Sequence, residues 1–161
     1  ITGTSRGIGF EMALQFANAG HQVLAISRKT PKELIEHSNI TCLSIDLSSE
    51  KELYKVSDFL SQTWKKVDVI IHNAGSLLLK PFSQTFQVDF EKVYKVNVFG
   101  VANLTRIALP YLQKGSHVVT VHFENAQSFG CDDGCDATEN AQRCKPHHVT
   151  HQYQNDFAEV V

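Results

Sequence analysis

The sequence predicts an α/β fold in which a doubly wound parallel sheet is covered by helices on both faces. Short apolar runs alternate along the chain with segments whose apolar residues recur at helical spacing. That alternation is typical of parallel strands joined by crossover helices. A glycine-rich loop at residues 2–9 stands directly before the first helical segment. A strand, a glycine loop and a helix in this order are a common start of such a sheet.

Four apolar runs are expected to be strands, at residues 21–26, 41–45, 67–71 and 116–121. The first helix should end at Gly20, because glycine is frequent just after a helix end. Its buried face should consist of Ile8, Met12, Ala13, Phe16 and Ala17. A second helix should run from a cap at Ser48 or Ser49 to about Trp64.

A loop at residues 72–85 should lead to a long helix over residues 86–112. Its apolar stripe alternates steps of four and three residues, as one helix face does: Phe90, Tyr94, Asn97, Val101, Leu104 and Ala108. Pro110 should kink or end this helix. Asn97 is the polar member of the stripe. A buried, unpaired amide costs about 1–3 kcal/mol, so we expect Asn97 to have a hydrogen-bond partner.

The composition fits one globular domain, with 161 residues, 42% hydrophobic and 20% charged, and a formal net charge of -2. Since neither sign of charge is in excess, we expect no nucleic-acid partner. No apolar run approaches the roughly 18–20 residues that a membrane-spanning helix needs, so we expect no membrane insertion and a cytoplasmic location.

The chain begins with Ile1 rather than Met, and the glycine loop follows at once. A sheet of this kind needs a strand before that loop. We therefore expect a fragment whose sheet is incomplete because the first strand is mostly missing.

Residues 122–161 contain no Leu, Ile or Met and are rich in Cys, His and Asn. We expect this tail to be poorly ordered and to replace the C-terminal part of the fold. Six tail residues are of types that bind zinc: Cys131, Cys135, Cys144, His147, His148 and His151. Their spacing matches no zinc finger that we recognise, so we predict no metal site.

The glycine loop has the sequence T-G-T-S-R-G-I-G. Gly3 can make a tight turn, and Gly7 and Gly9 have no side chain to keep a pyrophosphate from the backbone. The following helix start offers unpaired N–H groups and a partial positive charge to phosphates. The alternative is that the loop is only a structural turn.

The spacing G-x-x-x-G-x-G, taken with four later features, closely resembles the classical short-chain dehydrogenase/reductase family. These features are Asp46-Leu47 after a strand, H-N-A-G at residues 72–75 where the family has N-N-A-G, the segment 81–93, and Asn97 within V-N-V-F-G. The resemblance covers about residues 1–121 and implies a Rossmann-like dinucleotide-binding fold.

The resemblance implies a role for each matching position. Gly3, Thr4, Ser5, Arg6, Gly7, Ile8 and Gly9 would hold the pyrophosphate and ribose, Asp46 and Leu47 would contact adenine, and Asn73, Ala74 and Gly75 would line the cleft near the ribose. Asn97 would hold a water in a proton relay. The substrate would be a small carbonyl or alcohol, and intact relatives pair through the long helix 86–112.

Three alternatives stay open. Asp46 could simply cap the next helix, residues 73–75 could be only a turn, and Asn97 could make a purely structural hydrogen bond.

The residues after the second predicted strand indicate NADP(H) rather than NAD(H). NAD-binding folds of this kind place an acid about 20 residues past the glycines, on the ribose 2′-hydroxyl. No Asp or Glu occurs between Glu11 and Glu33, and Ser27 and Arg28 stand at that place. Arg28, aided by Arg6, could bind a 2′-phosphate. The alternative is that these charges are simply solvated.

The sequence departs from the family at its catalytic Ser, Tyr and Lys, which we do not find. His122 and Phe123 stand where the Ser is expected, and after residue 121 the chain has only Tyr153 and Lys145, without Y-x-x-x-K. Two functions are therefore compatible with the sequence: a fragment of an NADP(H)-dependent oxidoreductase, or a non-catalytic nucleotide-binding or interaction module.

Overall fold

The computed structural model describes residues 1–121 and the backbone of residues 152–153. The fold is α/β, as predicted, with two parallel ladders. Strand β1 (Val23–Ser27) pairs with β2 (Ile40–Ser44), and β3 (Val67–His72) pairs with β4 (Leu112–Thr120). A two-residue strand, β5 (Gln152–Tyr153), pairs antiparallel with β4.

The helices are α1 (Gly7–Asn18), α2 (Lys32–Ile35), α3 (Glu50–Phe59), α4 (Gln87–Tyr94) and α5 (Val101–Ala108). Two π-helical segments, Leu60–Trp64 and Lys95–Gly100, follow α3 and α4. Short 3-10 turns occupy Phe82–Gln84 and Leu109–Tyr111. None of these helices within the described residues is long and apolar enough to cross a membrane.

Residues 1–3 join the two ladders. The Thr2 N–H donates to the Ile71 carbonyl of β3 at 2.9 Å, and the Gly3 N–H donates to the Ile26 carbonyl of β1 at 2.8 Å. The Ile26 N–H in turn donates to the carbonyl of Ile1 at 2.9 Å. The first strand is thus represented by this short segment between β1 and β3, which confirms the predicted incomplete sheet.

Helices cover both faces of β1, whose five residues are all buried. Leu24 and Ile26 belong to a core with α3 and α5, formed also by Leu53, Val56, Leu104 and Ala108. Val23 and Ala25 face the opposite way, toward Ala13 and Ala17 of α1 and Leu34 of α2. Because successive strand residues alternate between faces, this double burial is the expected property of a parallel strand inside a doubly wound sheet.

Several local signals in the sequence have the predicted structural effect. The Ser49 side chain accepts a hydrogen bond from the Glu52 N–H and caps α3. Gly20 has a φ of 89°, in the left-handed region that ends helices. The predicted strands lie within a few residues of β1 to β4, whereas α2 was not predicted because its single turn is too short to show periodicity.

The predicted long helix is present as one uninterrupted helical run from Gln87 to Ala108, but it is not a regular α-helix throughout. The π-helical segment Lys95–Gly100 separates α4 from α5, and a 3-10 turn containing Pro110 follows Ala108. A π segment widens the turn and shifts the phase of every later side chain, so a stripe extrapolated at constant spacing fails. Leu104 and Ala108 are buried as expected, but Phe90, Tyr94 and Asn97 are exposed in the described structure.

His72, the last residue of β3, is buried and fixes this strand to α5. Its Nε2 lies 2.9 Å from the Thr105 hydroxyl, which donates to the Val101 carbonyl at 2.9 Å. Thr105 therefore accepts, and the imidazole proton is inferred to be on Nε2. The Nδ1 atom is buried without a partner among the described residues. Burial lowers the pKa of His72 to about 4.

This burial predicts an acid-sensitive fold. The unfolded chain takes up the His72 proton near its ordinary pKa of 6.5, whereas the folded protein takes it up near pH 4. The free energy of unfolding should therefore fall as pH decreases through this window, by about 3 kcal/mol in all. Urea unfolding between pH 4.5 and 7.5 measures this loss.

His72→Gln keeps an N–H for Thr105 but cannot be protonated, so it should remove the part of the pH dependence that His72 contributes. The matched control is His21→Gln, because His21 is exposed. An equal pH dependence in wild type and His72→Gln would contradict the role given to His72.

Candidate functional site

A cleft of about 730 Å³ opens where the carboxyl ends of β1, β3 and β4 meet the glycine loop. Open parallel sheets bind ligands at this edge. Of the predicted site residues, only Thr4 and Gly9 do not line the cleft. Those that do are Gly3, Ser5, Arg6, Gly7, Ile8, Ser27, Arg28, Asp46, Leu47, Asn73, Ala74, Gly75 and Asn97.

The glycine loop is packed tightly on one side and open on the other. A Cβ atom at Gly9 would collide with the Gly3 carbonyl and the Asn73 side chain, and one at Gly3 would lie 2.8 Å from the Cα of Ala74. Gly7, in contrast, has a φ of +62° and open space around its missing Cβ. The loop thus needs Gly3 and Gly9 for packing, whereas Gly7 keeps the backbone accessible from the cleft.

Thr2 and Asn73 form a clamp between the glycine loop and the end of β3. The buried Thr2 hydroxyl accepts the backbone N–H groups of Asn73 and Ala74, each at 3.0 Å. The Asn73 side-chain nitrogen donates to the carbonyls of Thr2 at 3.1 Å and Gly3 at 3.4 Å. The Asn73 side chain therefore positions the glycine loop.

The start of α1 can receive an anion. Arg6 at the N-cap position has extended backbone and makes no side-chain cap, and the first turn holds no acidic residue. The first N–H groups of the helix are therefore not capped by a side chain among the described residues. Such groups, together with the helix dipole, favour negatively charged ligands.

Two exposed arginines, Arg6 and Arg28, line the same cleft. Neither takes part in an ion pair with any residue that the structure describes. The Arg28 backbone is held in place, because its carbonyl accepts from the Ser44 hydroxyl at 3.0 Å. The cleft therefore offers two guanidinium groups beside the start of α1.

Ser27 and Thr4 are buried behind Arg28. The Ser27 hydroxyl donates to the Lys29 carbonyl at 2.7 Å and lies 3.3 Å from the Thr4 hydroxyl, which donates to it. The Ser27 hydroxyl therefore donates its proton to a hydrogen bond within the turn after β1. This bond stabilises the turn that contains Arg28.

Asp46 is held in the turn before α3. Its Oδ1 accepts from the Ser48 N–H at 2.9 Å and the Ser48 hydroxyl at 2.8 Å. These bonds, and to a lesser extent the charge of Arg28, hold the pKa of Asp46 below its ordinary value. The capping alternative for Asp46 is wrong, because Ser49 is the N-cap of α3. A Cβ atom on Gly100 would lie 2.9 Å from the carbonyl oxygen of Leu47, the residue after Asp46. Glycine at position 100 therefore allows the helical segment that contains it to approach the backbone of Leu47 closely.

Asn97 has a structural partner. Its Oδ1 accepts from the Ser76 N–H at 2.7 Å, and its Nδ2 donates to the Ser76 carbonyl at 2.9 Å. Among the described residues, one lone pair and one N–H of the amide have no partner and could bind a water or ligand. The structure therefore places Asn97 at the cleft while fixing its side chain to the loop after β3.

The cleft also contains residues that the motifs did not predict: Ile26, Ile45, Ser76, Leu77, Val96, Val101, Thr120 and Val121. Thr120 and Val121 could have been predicted from their position alone. They stand at the carboxyl end of β4, just as the glycine loop stands at the carboxyl end of the first strand. Ser76 carries no signal in the sequence, because its role depends on its backbone contact with Asn97.

In residues 1–121 no group of three or more His, Cys, Asp or Glu side chains could hold a metal ion. The candidate zinc ligands of the tail lie outside the described residues. The expected loss of the catalytic residues depends on positions that also lie outside the described residues: His122, Phe123, Lys145 and the side chain of Tyr153. The tail that we predict to be poorly ordered lies outside them as well.

Comparisons with known proteins identify the family. The family model for short chain dehydrogenases matches residues 1–128, slightly beyond the predicted limit. The 7alpha-hydroxysteroid dehydrogenase of Escherichia coli K12 is 32% identical over 130 residues, covering 75% of this chain and 51% of that enzyme. The NADPH-dependent pterin aldehyde reductase of Arabidopsis thaliana is 31% identical over 121 residues, covering 70% and 49%.

A solved short-chain dehydrogenase from Streptomyces avermitilis has a TM-score of 0.68 and 29% identity, covering 74% of this chain and 47% of that one. The chain spans about half the length of the curated relatives that it matches. Sequence, fold and cleft position agree, so the chain belongs to the short-chain dehydrogenase family of oxidoreductases, which use NAD or NADP.

Proposed function

We propose that this chain is the NADP(H)-binding part of an oxidoreductase that moves a hydride between the nicotinamide and a carbonyl or hydroxyl carbon of a small molecule. The observation that carries the proposal is the cleft itself, where the uncapped start of α1 lies beside Arg6 and Arg28. Both features favour a ligand with several phosphate groups.

The glycine loop fits a pyrophosphate. The open backbone at Gly7 leaves room for phosphate oxygens, to which the N–H groups at the start of α1 would donate. The clamp of Thr2 and Asn73 fixes the loop before a ligand arrives, which reduces the entropy lost on binding. Gly3, Ser5, Gly7 and Ile8 would contact the pyrophosphate and ribose, with Thr4 and Gly9 supporting the loop from behind.

The choice of NADP(H) over NAD(H) rests on the end of β1. Arg28 follows directly after Ser27, at the place where an acid would accept the ribose 2′-hydroxyl of NAD. A guanidinium there attracts a 2′-phosphate and can bind it with two parallel hydrogen bonds. The name of the related pterin aldehyde reductase also states NADPH, for that protein.

The other cleft residues would hold the remaining parts of the cofactor. Asp46 and Leu47 of the cleft lining would contact adenine, and residues 73–75 of the same lining would lie near the ribose. When bound, the nicotinamide supplies or accepts the hydride. Asn97 keeps one N–H and one lone pair with which to orient a water for proton transfer.

A second candidate is cofactor binding without turnover. It is favoured by the sequence after residue 121, whose one tyrosine, Tyr153, is followed four residues later by Phe157 rather than Lys. In the relatives implied by the resemblance, Tyr exchanges the hydroxyl proton and Lys lowers its pKa. We propose that the chain as printed lacks this chemistry.

The exposed face of α4 is proposed to bind a second copy of the chain. Phe86, Phe90, Tyr94 and Val98 are exposed along this helix and the π segment after it. An apolar helix face of this size commonly marks an interface, and a twofold pairing would cover the same face on both copies.

Replacing Arg28 by Ala should weaken NADP⁺ binding about tenfold or more, because a charge-assisted contact is worth about 1.5–3 kcal/mol. NAD⁺ binding should change little. Calorimetric titration of both cofactors measures the difference, and Lys29→Ala is the matched control because Lys29 is the adjacent exposed cation. Equal affinities for the two cofactors in wild type, or an unchanged preference for NADP⁺ in Arg28→Ala, would contradict the assignment of NADP(H) as the cofactor.

The same preparation should bind NADPH without oxidising it when a panel of carbonyl compounds is added. Steady oxidation that Asn97→Ala abolishes would overturn the second candidate and favour an active enzyme.

If the chain forms this dimer, Tyr94→Lys should place a positive charge from each copy in the interface and so dissociate the dimer. The variant should therefore have a lower sedimentation coefficient than wild type. Tyr54→Lys on α3 is the matched control, since Tyr54 is 53% exposed and Tyr94 54%. A monomer in wild type, or equal effects of the two substitutions, would contradict this pairing.

A further inference from the structure

The turn of residues 46–49, between β2 and α3, contains a hydrogen bond that helix capping alone does not explain. Ser49 is the N-cap of α3, so Glu52 is the third residue of the helix. In the usual capping box, a Glu side chain at this position accepts from the backbone N–H of the cap residue. Here the Ser49 N–H donates instead to the Asp46 carbonyl at 3.0 Å. The Glu52 side chain is therefore not used to complete the usual box.

The Glu52 carboxylate binds the backbone of Asp46 instead. Its Oε2 accepts from the Asp46 N–H at 2.8 Å, across six positions of the chain. Glu52 is half-buried, so water competes less for this bond than it would for a fully exposed one. Both backbone polar groups of Asp46 are thus used within the turn, the N–H by Glu52 and the carbonyl by Ser49.

The side chain of Asp46 keeps one oxygen for a ligand. Its Oδ1 accepts from the N–H and the hydroxyl of Ser48, as described above. Its Oδ2 has no hydrogen-bond partner in the part of the chain that the structure describes. Because Asp46 lines the cleft, Oδ2 can accept from an N–H group of a molecule bound there.

The residue after Asp46 fixes the turn from its other side. The Leu47 side chain is buried, and Gly100 lets the π segment approach the Leu47 backbone closely. This packing holds the place of the turn, but it acts on Leu47. The orientation of the Asp46 peptide depends on the hydrogen bond to Glu52.

We propose that Glu52 is a positioning residue for recognition of the cofactor's base: by holding the Asp46 N–H, it orients the Asp46 carboxylate toward the amino group of adenine. The inference rests on the proposed NADP(H) site, and it adds a residue that does not line the cleft. Adenine carries an amino donor at C6. Hypoxanthine carries a carbonyl oxygen at the same place, which a carboxylate repels. An acceptor that is oriented before binding loses less entropy when the base arrives, so it discriminates more strongly between the two bases.

The test compares NADP⁺ with its hypoxanthine analogue by calorimetric titration of the full 161-residue chain. We expect wild type to bind NADP⁺ at least tenfold more tightly, because the bond to a charged acceptor is lost with the analogue. Glu52→Ala should lower this ratio at least threefold. Glu52→Gln should keep the ratio within twofold of wild type, since its amide oxygen can still accept from the Asp46 N–H.

Three further variants separate positioning from a general loss of helix stability. Glu50→Ala removes the neighbouring acid of the same helical turn, which binds Arg106 at 3.1 Å, and should leave the ratio unchanged. Glu52→Asp keeps a negative charge at the start of α3 but has a shorter side chain, so it should behave like Glu52→Ala. When Asp46 is already replaced by Ala, adding Glu52→Ala should not lower the ratio further, because Glu52 acts through Asp46.

Hydrogen exchange of the chain without cofactor tests the bond itself. The Asp46 amide should exchange faster in Glu52→Ala and Glu52→Asp than in wild type and Glu52→Gln. Equal exchange in all four proteins, an unchanged ratio in Glu52→Ala, or an equal loss in Glu50→Ala would overturn the inference.

The titration also separates this inference from the proposed function. If wild type binds NADP⁺ and its hypoxanthine analogue equally, the role of Glu52 is overturned and the cleft remains the cofactor site. If wild type binds neither nucleotide, the cofactor site itself is contradicted, and the role of Glu52 with it.

Discussion

The shape of the cleft depends on the hydrogen bonds of one buried residue, Thr2. Its hydroxyl accepts two backbone N–H groups at the end of β3, and its own N–H and carbonyl bond to β3 and to the Asn73 side chain. Removing the hydroxyl would leave two partly buried donors unpaired, and an unpaired donor costs at most about 1–3 kcal/mol. Because Gly9 packs on the same Asn73 side chain, this clamp also fixes where α1 begins. The position of a bound phosphate therefore follows from contacts behind the cleft as well as from groups that line it.

Residues 1–3 connect the two ladders of the sheet. Their backbone hydrogen bonds link β1 of the β1–β2 ladder to β3 of the β3–β4 ladder. In front of them lies the cleft with Arg6 and Arg28. The same short segment therefore joins the sheet and begins the glycine loop.

The sequence was sufficient for features that depend on local chemistry. The glycine loop, the strands that end near Ser27 and His72, the helix cap at Ser48 or Ser49 and the helix end at Gly20 each have a signal within a few residues. The features it did not predict depend on contacts between distant segments. The bonds of Asn97 to Ser76 and of His72 to Thr105 join residues 21 and 33 positions apart. The π segment after α4 likewise gives no periodic signal, and it shifts the phase between Phe90 and Tyr94, which are exposed, and the buried Leu104 and Ala108.

Backbone amide chemical shifts of the labelled chain, followed while NADP⁺ is added, test the central claim most directly. The account predicts that the largest changes occur at Gly7, Ile8 and Gly9, where the helix start would receive the pyrophosphate, and at Arg28, where the 2′-phosphate would bind. Leu24 and Val69, which do not line the cleft, should change little. Largest changes at residues away from the cleft, or none at the start of α1, would contradict the assignment of the cleft as the cofactor site.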